Sequence, residues 1–453
     1  MNVLDTQNIG LQGNERFVTS YRKRILDRQQ TLLFYTAMLC VFTNAVLQNV
    51  GQTFRMPNYD RPTLALGLVC VFFLMNNKEI VWKLSKKAYM NVFVFWALFC
   101  ALAAYSSFVT KDIVPVYNPV TKNILFQCFV FEGLCIVVYA VATERTNDVL
   151  NFLLSYNGIL VILTDLLMFG GIRYYSGVFE TYLIGSKFDV TYLHMNFVAL
   201  FFVKLKLTRK GKKEVQLPLP LLATVVTIIV LIGVRVDCNT GMSGALVFIM
   251  LVYACDRWPT IVAKRLASPK TFTVALFLSV MFAFYVQWIL SIPAVVHLIV
   301  DTMHRSLTLT GRTDIYSTYA SVMQDNWSWG FGYGNAYPIS WKNFGYTDTQ
   351  NALLEWILQI GVICTIAMVI LFYVMILFYQ QKASLTSAAP LLALLYVYIM
   401  LGTVEITLNN NFWLLMFVLF MLACDDQKVE EEVTIKLRYT PRQTLRRGRR
   451  LLN

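Results

Sequence analysis

Long apolar runs separated by short polar ones dominate the chain. The runs 217–234 and 362–379 contain no charged residue, and a run of roughly 18 or more such residues has the length of a membrane helix. Read in order, the pattern predicts twelve spans near 31–50, 62–78, 89–109, 121–142, 149–171, 188–205, 217–235, 241–256, 271–290, 351–380, 387–404 and 410–424. The expected fold is an all-α polytopic membrane protein. Its parts are an N-terminal segment (1–30), a transmembrane domain (31–424) and a basic tail (425–453). One connection, 291–350, is far longer than the others, and long connections between packed elements usually carry function.

Composition supports the pattern. Apolar residues make up 57% of the 453 and charged residues 14%, against about 45–50% and about 25% in ordinary globular chains. A soluble enzyme, a secreted disulfide scaffold and a disordered chain are excluded. The first thirty residues are polar and show no cleavage site after an apolar core, so the first span reads as a retained anchor. The nine cysteines include no CxxC pair, and Cys238 alone falls in a predicted outer loop, which argues against a disulfide framework. His194, His297 and His304 make no zinc-binding pattern.

The net charge of +13 changes the picture through its placement. Alternate connections, starting with the N-terminal segment, hold 29 of the 39 Lys and Arg residues. The positive-inside rule then puts both termini in the cytoplasm. The basic tail, 442–450, is expected to meet anionic lipid headgroups rather than nucleic acid. No internal repeat is visible, which weakens an inverted-repeat transporter reading.

The ten cations left on the outer side include Arg173, Lys187, Arg235, Arg305 and Arg312. One reading pairs them with Asp189, Asp237 or Asp314 as loop charges. The other, favoured for the set as a whole, is an anionic ligand, since the planar guanidinium fork suits phosphate and carboxylate. Residues 310–316 read as the start of a helix, with Ile315, Tyr319, Val322 and Met323 on one face. Arg312 falls in its first turn, where free backbone N–H groups favour an anion; a surface helix with an incidental Arg is the alternative. Downstream, Trp327, Trp329 and Tyr333 are interleaved with glycines through Asn335. They read either as a platform for sugar rings or as an interfacial aromatic belt. No βαβ pattern surrounds these glycines, so a dinucleotide fingerprint is rejected.

Several blocks together resemble the O-antigen polymerase and ligase superfamily of bacterial cell envelopes. They are Gly311-Arg312 with Ile315-Tyr316, the stretch 329–335 (WGFGYGN), the stretch 350–362 (QNALLEWILQIGV), 182–194 (YLIGSKFDVTYLH) and 236–247 (VDCNTGMSGALV). The resemblance is strongest to Wzy-type capsular and exopolysaccharide polymerases. It implies a GT-C-like glycosyltransferase of the bacterial cytoplasmic membrane, with no cofactor and no metal. Its substrate would be an undecaprenyl-pyrophosphate-linked oligosaccharide. The growing glycan would move onto the next lipid-linked repeat at the outer face, with a chain-length regulator as a candidate partner. By the same resemblance Arg312 holds the pyrophosphate, with Arg173 and Lys187 as further candidates. The outer cation Arg235 joins them as a candidate anion contact, and Trp327, Trp329 and Tyr333 remain the candidate sugar platform.

Two departures stand out. Ligase-type relatives carry His-Asn where this chain has Gln350-Asn351, and an Arg expected near 240–244 is replaced by Asn239, Thr240, Met242 and Ser243. The expected proton acceptors are therefore Asp348, Glu355, His194 and His304. Outer-loop carboxylates such as Asp237, Asp314 and Asp348 are scattered rather than clustered as DxD, so Arg is expected to do the work of a metal. The alternatives are a ligase of the same superfamily and a flippase or transporter for lipid-linked oligosaccharide. A carrier should bury charge at the midplane. Here Glu132 is the one such residue, with Asp165 nearer the outer end of its span.

Overall fold

The computed structural model describes residues 27–46, 60–76, 87–114, 118–172, 174–176, 179–208, 216–297, 300–301, 311–382 and 387–439. A helix stands at each of the twelve apolar segments. They are α1 (27–46), α2 (Asp60–Met75), α3 (Lys87–Val109), α4 (Pro119–Ala142), α5 (Thr146–Phe169), α6 (Lys187–Thr208), α7 (Leu219–Arg235), α8 (Asn239–Arg257) and α9 (Pro269–Ile289). After the long loop come α12 (Ala352–Lys382), α13 (Ala389–Leu401) and α14 (Asn410–Tyr439). Among the described residues, seven of these helices are long and apolar enough to cross a membrane, and four shorter ones are also apolar. The chain is a multi-pass, almost wholly helical protein.

Burial sorts the helices into two layers. α13 is apolar on every side, and a helix of that kind belongs in the interior; nearly its whole length is buried. Residues 412–424 of α14 and 133–142 of α4 are buried without a break. Around this centre, α2, α5, α7, α8 and α9 each bury one side. They leave large apolar residues bare on the other, including Phe72, Leu166, Leu231, Met250 and Phe277. A soluble surface rarely tolerates so much contiguous apolar area, and lipid tails make it costless.

Two features go beyond the hydropathy pattern. A short antiparallel hairpin, β1 (Tyr174–Ser176) with β2 (Phe179–Thr181), joins α5 to α6, with Tyr175 opposite Glu180. Among the described residues the long loop also contains a one-turn helix, Pro293–His297, and two longer ones, α10 (Arg312–Val322) and α11 (Ala336–Phe344). α10 begins where the sequence placed it, and Ile315, Tyr319 and Met323 are buried as the predicted stripe requires. The helix of α14 continues past the predicted span end into the tail.

The cysteines give no direct handle on topology. Cys238 is 1% exposed because its thiol caps α8, accepting from Gly241 N at 3.3 Å, and Cys255 is equally buried. Neighbouring Asp237 has a side chain 79% exposed, and Arg265, beyond the other end of α8, is also exposed. With the charge asymmetry read as above, a Cys at Asp237 should react with an impermeant maleimide on intact cells stripped of any outer wall. A Cys at Arg265 should react only after lysis. The opposite labelling pattern would turn the molecule over and put the long loop inside.

Candidate functional site

α12 is continuous in sequence but not in backbone. Gly361 has φ 77° and ψ 172°, a region essentially closed to residues with a side chain. The break frees two carbonyls, and apolar surroundings offer no water to satisfy them. The loop supplies the partners. Phe331 N donates to Leu358 O and Gly332 N to Gln359 O, both at 2.8 Å. In return Val362 N, which would bond Leu358 O in an unbroken helix, donates to Trp327 O at 2.8 Å. Gly334 N adds a bond to Gln359 Oε1 at 2.8 Å, and Ser106 of α3 donates to Trp329 O at 2.6 Å.

The glycines of this stretch therefore serve close backbone approach. A Cβ at Gly361 would stand 2.2 Å from Ser328 O, and one at Gly330 would stand 2.7 Å from the Gln359 backbone. The interleaved rings find separate seats. Tyr333 stacks on Phe126 at 5.1 Å, Trp329 meets Tyr105 edge-on at 4.7 Å, and Trp327 meets Tyr319 at 5.9 Å. Trp327, Trp329 and Tyr333 are thus half-buried against protein rings and do not form one shared platform.

Docking the loop this way holds α10 against the turn between α13 and α14. Arg312, first residue of α10, donates from Nε to Val404 O at 2.8 Å. Its terminal nitrogen donates to Glu405 Oε1 at 2.7 Å. Both side chains are largely buried, 13% and 10% exposed. One turn on, the Tyr316 hydroxyl lies 2.8 Å from Gln350 O and 3.0 Å from Thr403 O, donating to this pair of carbonyls. Asn351 caps α12 by accepting from Leu353 N and Leu354 N, and its amide reaches Ser279 O at 2.9 Å.

Charges gather around Glu405. Burial pushes its carboxyl up to about 7; Arg312 opposes the rise, Asp348 adds to it, and Lys187 opposes it. Lys187 opens α6 and donates to Asp237 O at 2.9 Å, with the Asp237 carboxylate 3.9 Å away. Burial also raises Tyr316, partly offset by Arg312. Two of the four cations expected to hold an anion, Lys187 and Arg312, are thus brought to one cluster. Arg235 stands apart at the end of α7, donating to Met168 O at 3.4 Å. Arg173, Arg305 and His304 lie outside the described residues.

The expected proton acceptors are engaged elsewhere. Asp348 Oδ1 accepts from Gln350 N (2.9 Å) and Gln350 Nε2 (2.7 Å), and its Oδ2 accepts from Thr347. Glu355 Oε2 accepts from the Thr349 amide and hydroxyl, and Oε1 from Gln359. His194 is buried between Val190 O at 2.8 Å on Nδ1 and Asp165 Oδ2 at 3.2 Å on Nε2. Glu132 is fully buried in α4, where a Cβ on Gly67 would fall 2.7 Å from its carboxyl. Among the described residues no group of three or more His, Cys, Asp or Glu side chains could hold a metal ion.

Sequence reasoning missed Glu405. Its signal was available: a carboxylate just past the end of an apolar span, on the side where the unexplained cations lie. No family model matches the chain, and no curated protein matches it either.

Two outcomes follow from this geometry. Gly361→Ala should lower the melting temperature of the purified protein sharply. The backbone strain alone is worth about 1–3 kcal/mol, and the Ser328 clash adds to it. A variant melting with the wild type would mean that the loop does not dock on α12.

Arg312→Met should cost about 3–5 kcal/mol, the usual result of stripping one partner from a buried ion pair. Glu405 has a folded-state pKa raised above its unfolded value, so what it contributes is lost as pH rises toward and past 7. Removing Arg312 raises that pKa further. The variant should therefore suffer more at pH 8 than at pH 5.5, and adding Glu405→Gln should restore most of the loss. Melting curves at the two pH values check the sign.

Proposed function

We propose that the protein is a polysaccharide polymerase. It transfers a growing glycan from undecaprenyl pyrophosphate to the next lipid-linked repeat unit at the outer face of a bacterial cytoplasmic membrane, without a metal ion. The observation that carries this reading is the convergence of Lys187 and Arg312, 125 positions apart in sequence, on one cluster at the end of an apolar bundle. A lipid-linked pyrophosphate has the matching form, with an apolar tail among helices and an anionic head where the helices end. Cations already in place as the leaving group gains charge stabilise it most where water is scarce, by several kcal/mol. The motif order 311–316, 329–335 and 350–362 supports the same family, and in this chain the first two blocks each bond the third.

A transporter of lipid-linked oligosaccharide is the second reading, favoured by the interrupted α12, since carriers often bind cargo at broken helices. In this chain, however, amides of the loop cap the carbonyls freed at the break, so those carbonyls do not line a path. The ligase alternative differs in acceptor alone.

Purified protein in proteoliposomes with lipid-linked repeats should build polymer and release undecaprenyl pyrophosphate, at a rate unchanged by EDTA. Activity lost to EDTA and restored by magnesium would overturn the metal-free mechanism. Movement of the lipid-linked unit across the bilayer without lengthening would favour the transporter.

A further inference from the structure

We infer that Glu405 is the general base of the proposed transfer, and that its protonation releases Arg312 to the departing pyrophosphate. The inference rests on the polymerase reading and names a residue which that reading leaves out.

The geometry first narrows the field. Both carboxylate oxygens of Asp348 and of Glu355 accept hydrogen bonds from neighbours in the chain, and both ring nitrogens of His194 face oxygens of Val190 and Asp165. Glu405 differs: Arg312 holds Oε1, and Oε2 takes no hydrogen bond among the described residues. The side chain keeps 10% exposure, so one oxygen is open to an incoming hydroxyl while the other is fixed by a cation. The groups facing the carboxyl come from each surrounding element. They are Arg312 and Tyr316 of α10, Lys187 and Tyr192 of α6, Cys238 before α8, and Asp348 before α12. Burial, partly offset by the two cations, holds the carboxyl near 7, where a base is both available and strong enough at neutral pH.

The step balances. The acceptor sugar oxygen attacks the anomeric carbon of the donor and forms the new glycosidic C–O bond. Its proton passes to Glu405. The bond from the anomeric carbon to the phosphate oxygen breaks, and its electron pair leaves on undecaprenyl pyrophosphate. Before the step, Arg312 faces a carboxylate at 2.7 Å; afterwards it faces a neutral acid, while a new negative charge has appeared on the leaving group. The guanidinium prefers the charged partner, so the proton transfer itself redirects the cation. Base and leaving-group stabiliser are thus coupled through one ion pair.

The test is the pH dependence of polymer formation by purified full-length protein supplied with lipid-linked repeats. Wild type should show an acidic limb, with rate falling below about pH 7 as Glu405 takes up its proton. Glu405→Gln keeps an oxygen for Arg312, so it should melt close to wild type. Its rate should be lower by about 10²–10⁴, the usual contribution of a general base, and the residual rate should lack the limb. Glu405→Asp should recover part of the rate and restore a limb. A Glu405→Gln protein that polymerises within about twofold of wild type, or keeps the same limb, overturns the assignment while leaving the polymerase reading in place. A wild type that makes no polymer at any pH overturns both.

Discussion

Everything near the charged cluster depends on one constraint: backbone polar groups within the apolar bundle must find partners in the chain. At Gly361 the helix gives up two of its own bonds, to Leu358 O and Gln359 O, and the amides of Phe331 and Gly332 replace them. The exchange is specific in register, because Val362 N answers to Trp327 O and closes the set. Leaving one buried amide unpaired costs about 1–3 kcal/mol. A loop displaced by one residue would lose several such bonds together. The docking position is therefore well determined, and with it the position of α10.

From that anchor the rest follows by packing. Tyr319 of α10 donates to Leu354 O at 2.7 Å, and Tyr316 reaches carbonyls from two separate turns. These contacts fix the helix about its own axis and turn Arg312 toward Val404 and Glu405. A buried ion pair rarely adds stability over an apolar replacement, because desolvation offsets the Coulomb attraction. Arg312 and Glu405 are a costly choice on structural grounds alone. Such a pair persists at the tip of a docked loop, beside Lys187 and Asp348, where its charges can serve chemistry.

The apolar spans were legible because hydropathy is a property of composition, summed over many residues. Arg312 was legible because it lies in the first turn of a recognisable helix with a clear apolar stripe. The pairing was not, since Glu405, itself visible as a carboxylate just past an apolar span, lies 93 positions away and nothing local to either residue names the other. The break at Gly361 was hidden for a different reason. A glycine between Ile360 and Val362 leaves the hydropathy of the run unchanged, and the conformation comes from the incoming loop. The alternation of glycine with aromatics was visible, yet its sugar-platform reading weighed the side chains and overlooked the backbone. The glycines admit that backbone to α12, and the rings fill separate gaps around it.

The two attachments of the loop differ in kind, and that difference separates scaffold from site. Between 327 and 334 it is held by neutral hydrogen bonds, backbone to backbone except where Gln359 Oε1 accepts from Gly334 N and the Ser106 hydroxyl donates to Trp329 O, which do not respond to pH. At Arg312 it is held by charge, against a carboxyl poised near 7, which responds to both a proton and an anion. Salt screens this second contact weakly because both partners are largely desolvated. Loss of the Glu405 charge would therefore loosen the guanidinium while the neutral anchor keeps α10 in place. The cation can change partners without the loop leaving the bundle, as the proposed passage from a carboxylate to a phosphate requires.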